Sequence, residues 1–357
     1  MIKKISRPDV AVIVLTRNAG VLWSQWIAGI QQQTIQAGRY LVVDSSSTDQ
    51  TLEQALTAGL EVYSIEAATF NHGGTRQLAA ELCHGAEYLV FLTQDAILDE
   101  PDSLELLLKP LSDAKVGMVY GRHIPHPQAS LIEKHARAYT YPEASAVRSK
   151  ADLDELGFRA AFSSDVYAVY RASALRSVGG FPEHIIVSED SYVSARLLLA
   201  GWKVVYSAES SVRHSHQYSL LQIFRRYFDI GVFHASEATL LRGIGKPDKE
   251  AWVYVRSLID YLSQRRKRLL WLAALQTLVK LLGFKLGKAY EHLPSSWCQV
   301  LSLQKAYWYA RPNSWEQGWL LYQGKSRALA PKQLSVPHTL LKPAVQRLAA
   351  KPISVVS

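Results

Sequence analysis

The chain has 357 residues, 48% of them hydrophobic and 20% charged, enough for two domains and too apolar for a chain that is mostly disordered. Its only cysteines, Cys83 and Cys298, exclude a disulfide scaffold, and no apolar signal core precedes the first strand pattern, so a reducing, cytoplasmic setting is expected. The net charge of +9 is divided unequally: residues 1–240 carry 21 Lys and Arg against 26 Asp and Glu, and residues 241–357 carry 19 against 5.

In chain order, short apolar runs at 10–15, 40–43, 61–65, 88–92, 116–120, 165–170 and 203–206 predict strands. Their Val and Ile content fits burial on both faces. Helical patterns occupy 22–32, 75–84, 103–111 and 191–200, the last closed by Gly201. Strands alternating with helices predict an α/β class with a mostly parallel central sheet. After Tyr218 the strand signals fade, and 224–241, 252–286 and 299–309 read as a C-terminal helical region. The expected organisation is a catalytic α/β domain over 1–240, a basic, Trp-rich helical region over 241–322 and a flexible basic tail over 323–357.

Ligands of open α/β sheets bind beyond the carboxyl ends of the strands. Three such ends are polar here: Thr16-Arg17-Asn18, Asp44-Ser45-Ser46-Ser47-Thr48-Asp49 and Thr93-Gln94-Asp95. The first two lie side by side, where a carboxylate can accept the imide N–H of uracil or thymine. A dinucleotide glycine fingerprint and a phosphate loop ending in Gly-Lys-Ser/Thr are both missing, which argues against a dehydrogenase and a P-loop NTPase. Glu189-Asp190 opens a helix, and His214-Ser215-His216 follows the last strand. Together these features point to an enzyme that holds a sugar nucleotide through a divalent metal.

The order of Val12-Ile13-Val14-Leu15-Thr16-Arg17-Asn18, the Asp44 to Asp49 run, Phe70-Asn71-His72-Gly73-Gly74-Thr75-Arg76, Leu92-Thr93-Gln94-Asp95-Ala96, Gly179-Gly180-Phe181 and Ser188-Glu189-Asp190 resembles the family 2 inverting glycosyltransferases. Within that family it is similar to the bacterial rhamnosyltransferases of O-antigen and capsule assembly, over about 10–309. The resemblance implies a GT-A fold. It places Thr16, Arg17, Asn18, Asp44, Asn71, Arg76, Gln94 and Asp95 on the nucleotide and donor, with Arg76 near the diphosphate at a helix N-terminus. Asp95 is expected to bind Mg²⁺ or Mn²⁺ with help from His214 or His216, although Thr93-Gln94-Asp95-Ala96 keeps one carboxylate where the family has Asp-x-Asp. Asp190 is the expected general base, Glu189 its support, and Ser164 and Asp165 are expected on the acceptor side.

The implied reaction moves L-rhamnose from dTDP-L-rhamnose to a lipid-linked oligosaccharide acceptor. A UDP-hexose or UDP-N-acetylhexosamine donor, and a non-catalytic membrane scaffold, stand as alternatives. Arg265-Arg266-Lys267-Arg268 runs into Leu269-Leu270-Trp271-Leu272 and further leucines, but Gln276 and Lys280 interrupt the span of about 20 apolar residues that crosses a bilayer. A helix lying on an anionic membrane surface, at the inner face of the cell membrane, is expected, with a core helix as the bland alternative. Nucleic acid is not an expected partner, and the oligomeric state is left open.

Overall fold

The computed structural model describes residues 4–244 and 250–309. Strand β1 (Ile5–Thr16) leads to helix α1 (Trp23–Gln32), β2 (Ile35–Asp44) to α2 (Thr51–Thr57), β3 (Glu61–Ser64) to α3 (His72–Leu82), and β4 (Tyr88–Leu92) to α4 (Ser103–Leu108). Then come β5 (Val116–Ile124), α5 (Leu131–Thr140), β6 (Ala146–Arg148), the single turns α6 (Leu153–Leu156) and α7 (Phe158–Ala161), β7 (Tyr167–Arg171), α8 (Ala172–Ser177), α9 (Glu189–Leu199) and β8 (Lys203–Arg213). Helices α10 (Leu220–Ser236), α11 (Ala238–Arg242), α12 (Glu250–Arg265), α13 (Leu270–Lys288), α14 (Ser295–Leu301) and α15 (Lys305–Tyr309) follow.

The eight strands form one sheet in the order β3-β2-β1-β4-β7-β5-β8-β6, in which only β7 and β6 run antiparallel to their neighbours. The expected α/β class with a mostly parallel sheet and a C-terminal helical region is what the structure shows. Alternate residues of β1 divide between two cores: Val10, Val12 and Val14 face Trp23, Trp26 and Ile30, while Ala11 and Ile13 join Leu41, Val43 and Phe91. Burial on both faces is why these strands read as continuous apolar runs. The carboxyl ends of β1, β2 and β4 and the amino end of β7 consequently share one edge of the sheet.

The expected strands were too short at several ends. β1 begins five residues before Val10, across a register shift between Arg7 and Ala11 that accommodates Pro8. β6, with three residues, carried no periodicity to detect. The single helix expected over 252–286 is two helices, α12 and α13, broken at Arg266 (φ −159°). Leu258 and Leu262 of α12 and Ala273 of α13 all pack on Ile132, whereas in one straight helix residues 258 and 273 would lie about 22 Å apart.

Residues 4–309 fall within one compact unit, Met1–Ala310. The tail expected over 323–357 lies outside the described residues. Backbones of α10 and α13 approach closely because Gly231, Gly283 and Gly287 line the contact; a Cβ on Gly287 would meet the Phe228 carbonyl. Lys267–Lys288 is long and apolar enough to cross a membrane by length and composition, with mean hydropathy 1.5, which corrects the expectation that its polar residues rule this out. Most of that surface is bare: Trp271 is 67% exposed, and Leu278, Leu281 and Leu282 are exposed beside it.

Candidate functional site

An isolated antiparallel bridge between Ile97 and Arg213 ties the loop after β4 to the end of β8. That tie sets Asp95 against His214 and His216. His214 Nε2 is 3.3 Å and His216 Nε2 3.6 Å from Asp95 Oδ2. One ligand atom from each of these residues lies within 4.8 Å of the others, a grouping that could hold a metal ion. Thr93 Oγ1 donates to Asp95 Oδ1 at 2.7 Å and fixes the carboxylate's rotation.

Protonation suits metal binding. Burial alone would raise the Asp95 carboxyl, but hydrogen bonding and charge from His214, with the Thr93 hydroxyl, outweigh it and hold the group well below the usual carboxylate range. Burial, with His214 alongside, pushes His216 down to about 4, so its imidazole is neutral at physiological pH and its lone pair is free. Buried His214 Nδ1 has no hydrogen-bond partner among the described residues. One carboxylate and two imidazoles fit a divalent ion that accepts nitrogen, such as Mn²⁺, better than the all-oxygen preference of Mg²⁺. Where the sequence left open which histidine is the candidate ligand, both lie beside Asp95.

Next to this corner the ends of β1, β2 and β4 are tied by side chains. Gln94 Oε1 accepts the Arg17 amide at 2.8 Å, and Gln94 Nε2 donates to the Arg17 carbonyl at 3.3 Å. Thr16 Oγ1 and Ser47 Oγ both donate to Asp44 Oδ1, and the Ser47 amide donates to Asp44 Oδ2 at 2.8 Å. Asn18 Oδ1 accepts the Thr48 amide at 2.8 Å. Thr16 is buried and nothing of Asp44 is exposed, so Asp44 shapes this edge from within, tying the ends of β1 and β2 together through Thr16 and Ser47. Gln94 is likewise spent on Arg17, leaving Arg17 and Asn18 as the exposed groups.

The Asn71 to Arg76 motif turns out to build the other half of the site. Asn71 Oδ1 caps α3 by accepting the Gly74 amide at 2.6 Å, and a Cβ on Gly73 would collide with the Pro182 carbonyl in the loop before α9. Arg76 is thereby aimed inward, 6% exposed. Its Nη1 lies 2.8 Å from Glu189 Oε1 and its Nε 3.1 Å from Asp165 Oδ2. Asn71, expected on the donor, is used here as a helix cap, and Arg76, also expected there, as a buried ion-pair partner.

Asp165, expected on the acceptor side, is turned inward. It is 2% exposed, accepts the Tyr170 hydroxyl at 2.5 Å, and so cannot line an open acceptor pocket; Ser164 is buried beside it. Asp190, by contrast, is half-buried, and its oxygens accept the Ser191 amide at 2.6 Å and the Asp165 amide at 3.2 Å. Burial and the Glu189 charge raise Asp190 to about 6. Burial would raise Glu189 too, but Arg76 holds it below its usual value. The Thr93 amide donates to the Val166 carbonyl at 3.0 Å, so the metal corner and this acidic cluster are adjoining parts of one edge.

Among the described residues, the three non-glycine positions with positive φ are Asn18 (48°), Ser46 (58°) and Ser188 (67°). All three flank this edge, two at the β1 and β2 ends and one directly before Glu189-Asp190. Such strain is retained where the surroundings enforce a geometry, and it concentrates at functional sites. Sequence reasoning missed Tyr170, Ser47, His72 and Gln304. His72 was within the quoted motif, but Gln304, whose Nε2 lies 3.2 Å from His72 Nε2, carried no local signal across 232 positions.

Comparison with known proteins gives a consistent result. The sequence profile described as Glycosyl transferase family 2 matches residues 11–179. The chain is 41% identical over 302 residues to the O-antigen chain rhamnosyltransferase WbaN of Salmonella anatum, covering 84% of this chain and 96% of that protein. It is 41% identical over 300 residues to the O-antigen chain rhamnosyltransferase RfbN of Salmonella typhimurium (strain LT2), with the same coverage. Among solved structures, the mannosyltransferase PcManGT of Pyrobaculum calidifontis, in complex with GDP-Man and Mn²⁺, aligns over 85% of each chain at 19% identity with a TM-score of 0.49.

Proposed function

Because this chain belongs to glycosyl transferase family 2 and is a glycosyltransferase, we propose that it moves L-rhamnose from dTDP-L-rhamnose to a hydroxyl of a lipid-linked glycan, inverting the anomeric centre. The observation that carries the reading is Asp190: a half-buried carboxylate raised to about 6, backed by an ion-paired Glu189, at the edge that also presents Asp95, His214 and His216. A base titrating near neutrality is well matched to removing a hydroxyl proton.

In the proposed reaction the acceptor oxygen forms a bond to the anomeric carbon while the bond from that carbon to the diphosphate breaks. The hydroxyl proton passes to an Asp190 oxygen, and the nucleoside diphosphate leaves with the bonding electrons. Attack opposite the leaving group in a single displacement inverts the configuration. Asp95, His214 and His216 would hold Mn²⁺ or Mg²⁺, which supplies neutralisation of the charge developing on the diphosphate. Arg17, Asn18 and the 45–48 backbone are the groups placed to meet thymine and ribose.

The donor is tested by incubating the full chain with dTDP-L-rhamnose, UDP-glucose and UDP-N-acetylglucosamine in Mn²⁺ and scoring nucleotide release. We expect dTDP-L-rhamnose to be turned over at least about tenfold faster, a difference of about 1.4 kcal/mol in the barrier. A preference for either UDP-sugar would replace the rhamnosyl reading with its alternative.

Trp252, Trp271 and Trp297 are 78%, 67% and 62% exposed, and they stand among Arg265, Arg266, Lys267 and Arg268. Aromatic and cationic side chains together favour an anionic membrane interface, which would place the enzyme peripherally at the cytoplasmic face beside a lipid-linked acceptor. Vesicles rich in phosphatidylglycerol should float the protein, neutral phosphatidylcholine vesicles should float much less, and Trp271→Glu with Leu282→Glu should abolish flotation. Retention on DNA in place of flotation would reverse this assignment.

A further inference from the structure

We propose that Arg76 is the positioning residue for the base: by gripping Glu189 and Asp165 it leaves Asp190 as the carboxylate of this cluster free to meet the acceptor hydroxyl. The inference rests on the proposed role of Asp190 and adds a residue whose position in the sequence had suggested donor binding.

Three carboxylates, Asp165, Glu189 and Asp190, share one buried guanidinium. A guanidinium is a planar fork with a fixed charge, and here the fork is divided. Nη1 faces Glu189 and also donates to the His72 carbonyl at 3.0 Å, while Nε faces Asp165. Asp190 makes no ion pair among the described residues and accepts only backbone amides. It is also the most exposed of the three. The other groups facing the cluster are weaker sources of charge. His72, from the first turn of α3, is kept neutral by burial, Arg226 of α10 adds a distant cation to Glu189, and the Tyr170 hydroxyl is engaged with Asp165.

Without Arg76, buried Glu189 loses its counter-charge, and its repulsion falls on Asp190. Each turn of the Asn71 to Arg76 motif serves that contact: the Asn71 cap starts α3, Gly73 lets it press against the Pro182 carbonyl, and Arg76, one turn on, reaches the carboxylates.

The test uses Arg76→Gln and, in case that variant fails to fold, Glu189→Gln with Arg76 intact. The readouts are the pH dependence of dTDP-L-rhamnose hydrolysis, in which water takes the acceptor's place, and dTDP affinity by calorimetry. Arg76→Gln should move the acidic limb of the profile up by about one pH unit, which lowers kcat about twofold at pH 7 and about tenfold at pH 5. Glu189→Gln should move the same limb down, because it removes a negative neighbour and leaves the cation. In both variants dTDP affinity should stay within about twofold of the parent, since the Arg76 guanidinium is taken up by Glu189, Asp165 and the His72 carbonyl. A fall in dTDP affinity with an unmoved limb would overturn the inference and return Arg76 to the diphosphate. Failure of the underlying reading is seen separately, as full activity of Asp190→Asn.

Discussion

Asp190→Asn is expected to reduce transfer by about 10²- to 10⁴-fold while leaving dTDP affinity nearly unchanged. The amide has almost the shape of the carboxylate, but its nitrogen cannot accept a proton and cannot accept either backbone amide now bound by Asp190. Glu189 cannot take over, because it is buried against Arg76. The wild-type pH profile should report the same group. A base raised to about 6 works only when deprotonated, so the rate is level above that pH and falls about tenfold per unit below it. Steady-state rates across pH, beside calorimetric titration of dTDP into Asp190→Asn, check both halves. Substantial activity in the variant, or a flat acidic limb in the parent, would remove Asp190 from the chemistry.

The sheet and the edge carrying the site were legible in the sequence because buried parallel strands write themselves as Val- and Ile-rich runs that end in polar residues. Thr16, Asp44 and Asp95 fell at or just past those ends and are found there, and Asp190 fell at a helix start and is found there. The direction of side chains was not legible. Asp44 and Arg76 each carry charge near a ligand-binding edge, and sequence pattern gives no means of knowing that Asp44 is closed in by Ser47, or Arg76 by Glu189 and Asp165. Such contacts depend on pairings across 3, 89 and 113 positions, fixed by packing rather than by period. The break between α12 and α13 coincides with the polar run Ser263-Gln264-Arg265-Arg266-Lys267-Arg268, which holds neither Gly nor Pro to mark a helix end, and Leu258, Leu262 and Ala273 on its two sides join one cluster with Ile132.

Asp95→Ala is expected to weaken Mn²⁺ binding by at least about 100-fold and to reduce turnover by a comparable factor. Removal of groups that merely orient a ligand already costs about 10- to 100-fold in affinity, and Asp95 is the carboxylate between two histidines. Two imidazoles without it offer nitrogen alone and no negative charge, a poor set for a hard divalent ion beside a diphosphate. Thr93→Val gives the graded version: the Thr93 hydroxyl holds Asp95 Oδ1, so its loss should loosen the site less than loss of the carboxylate does. Electron paramagnetic resonance of free Mn²⁺ measures binding without recourse to activity. Thermal denaturation gives a second measure, because Mn²⁺ at about 100 times its Kd stabilises the folded chain by about 2.7 kcal/mol. That stabilisation should vanish in Asp95→Ala and shrink in His214→Ala and His216→Ala. Equal Mn²⁺ binding by Asp95→Ala and the parent would show that the ion is held elsewhere, and the triad would then be a hydrogen-bonded corner of the fold with no part in the transfer.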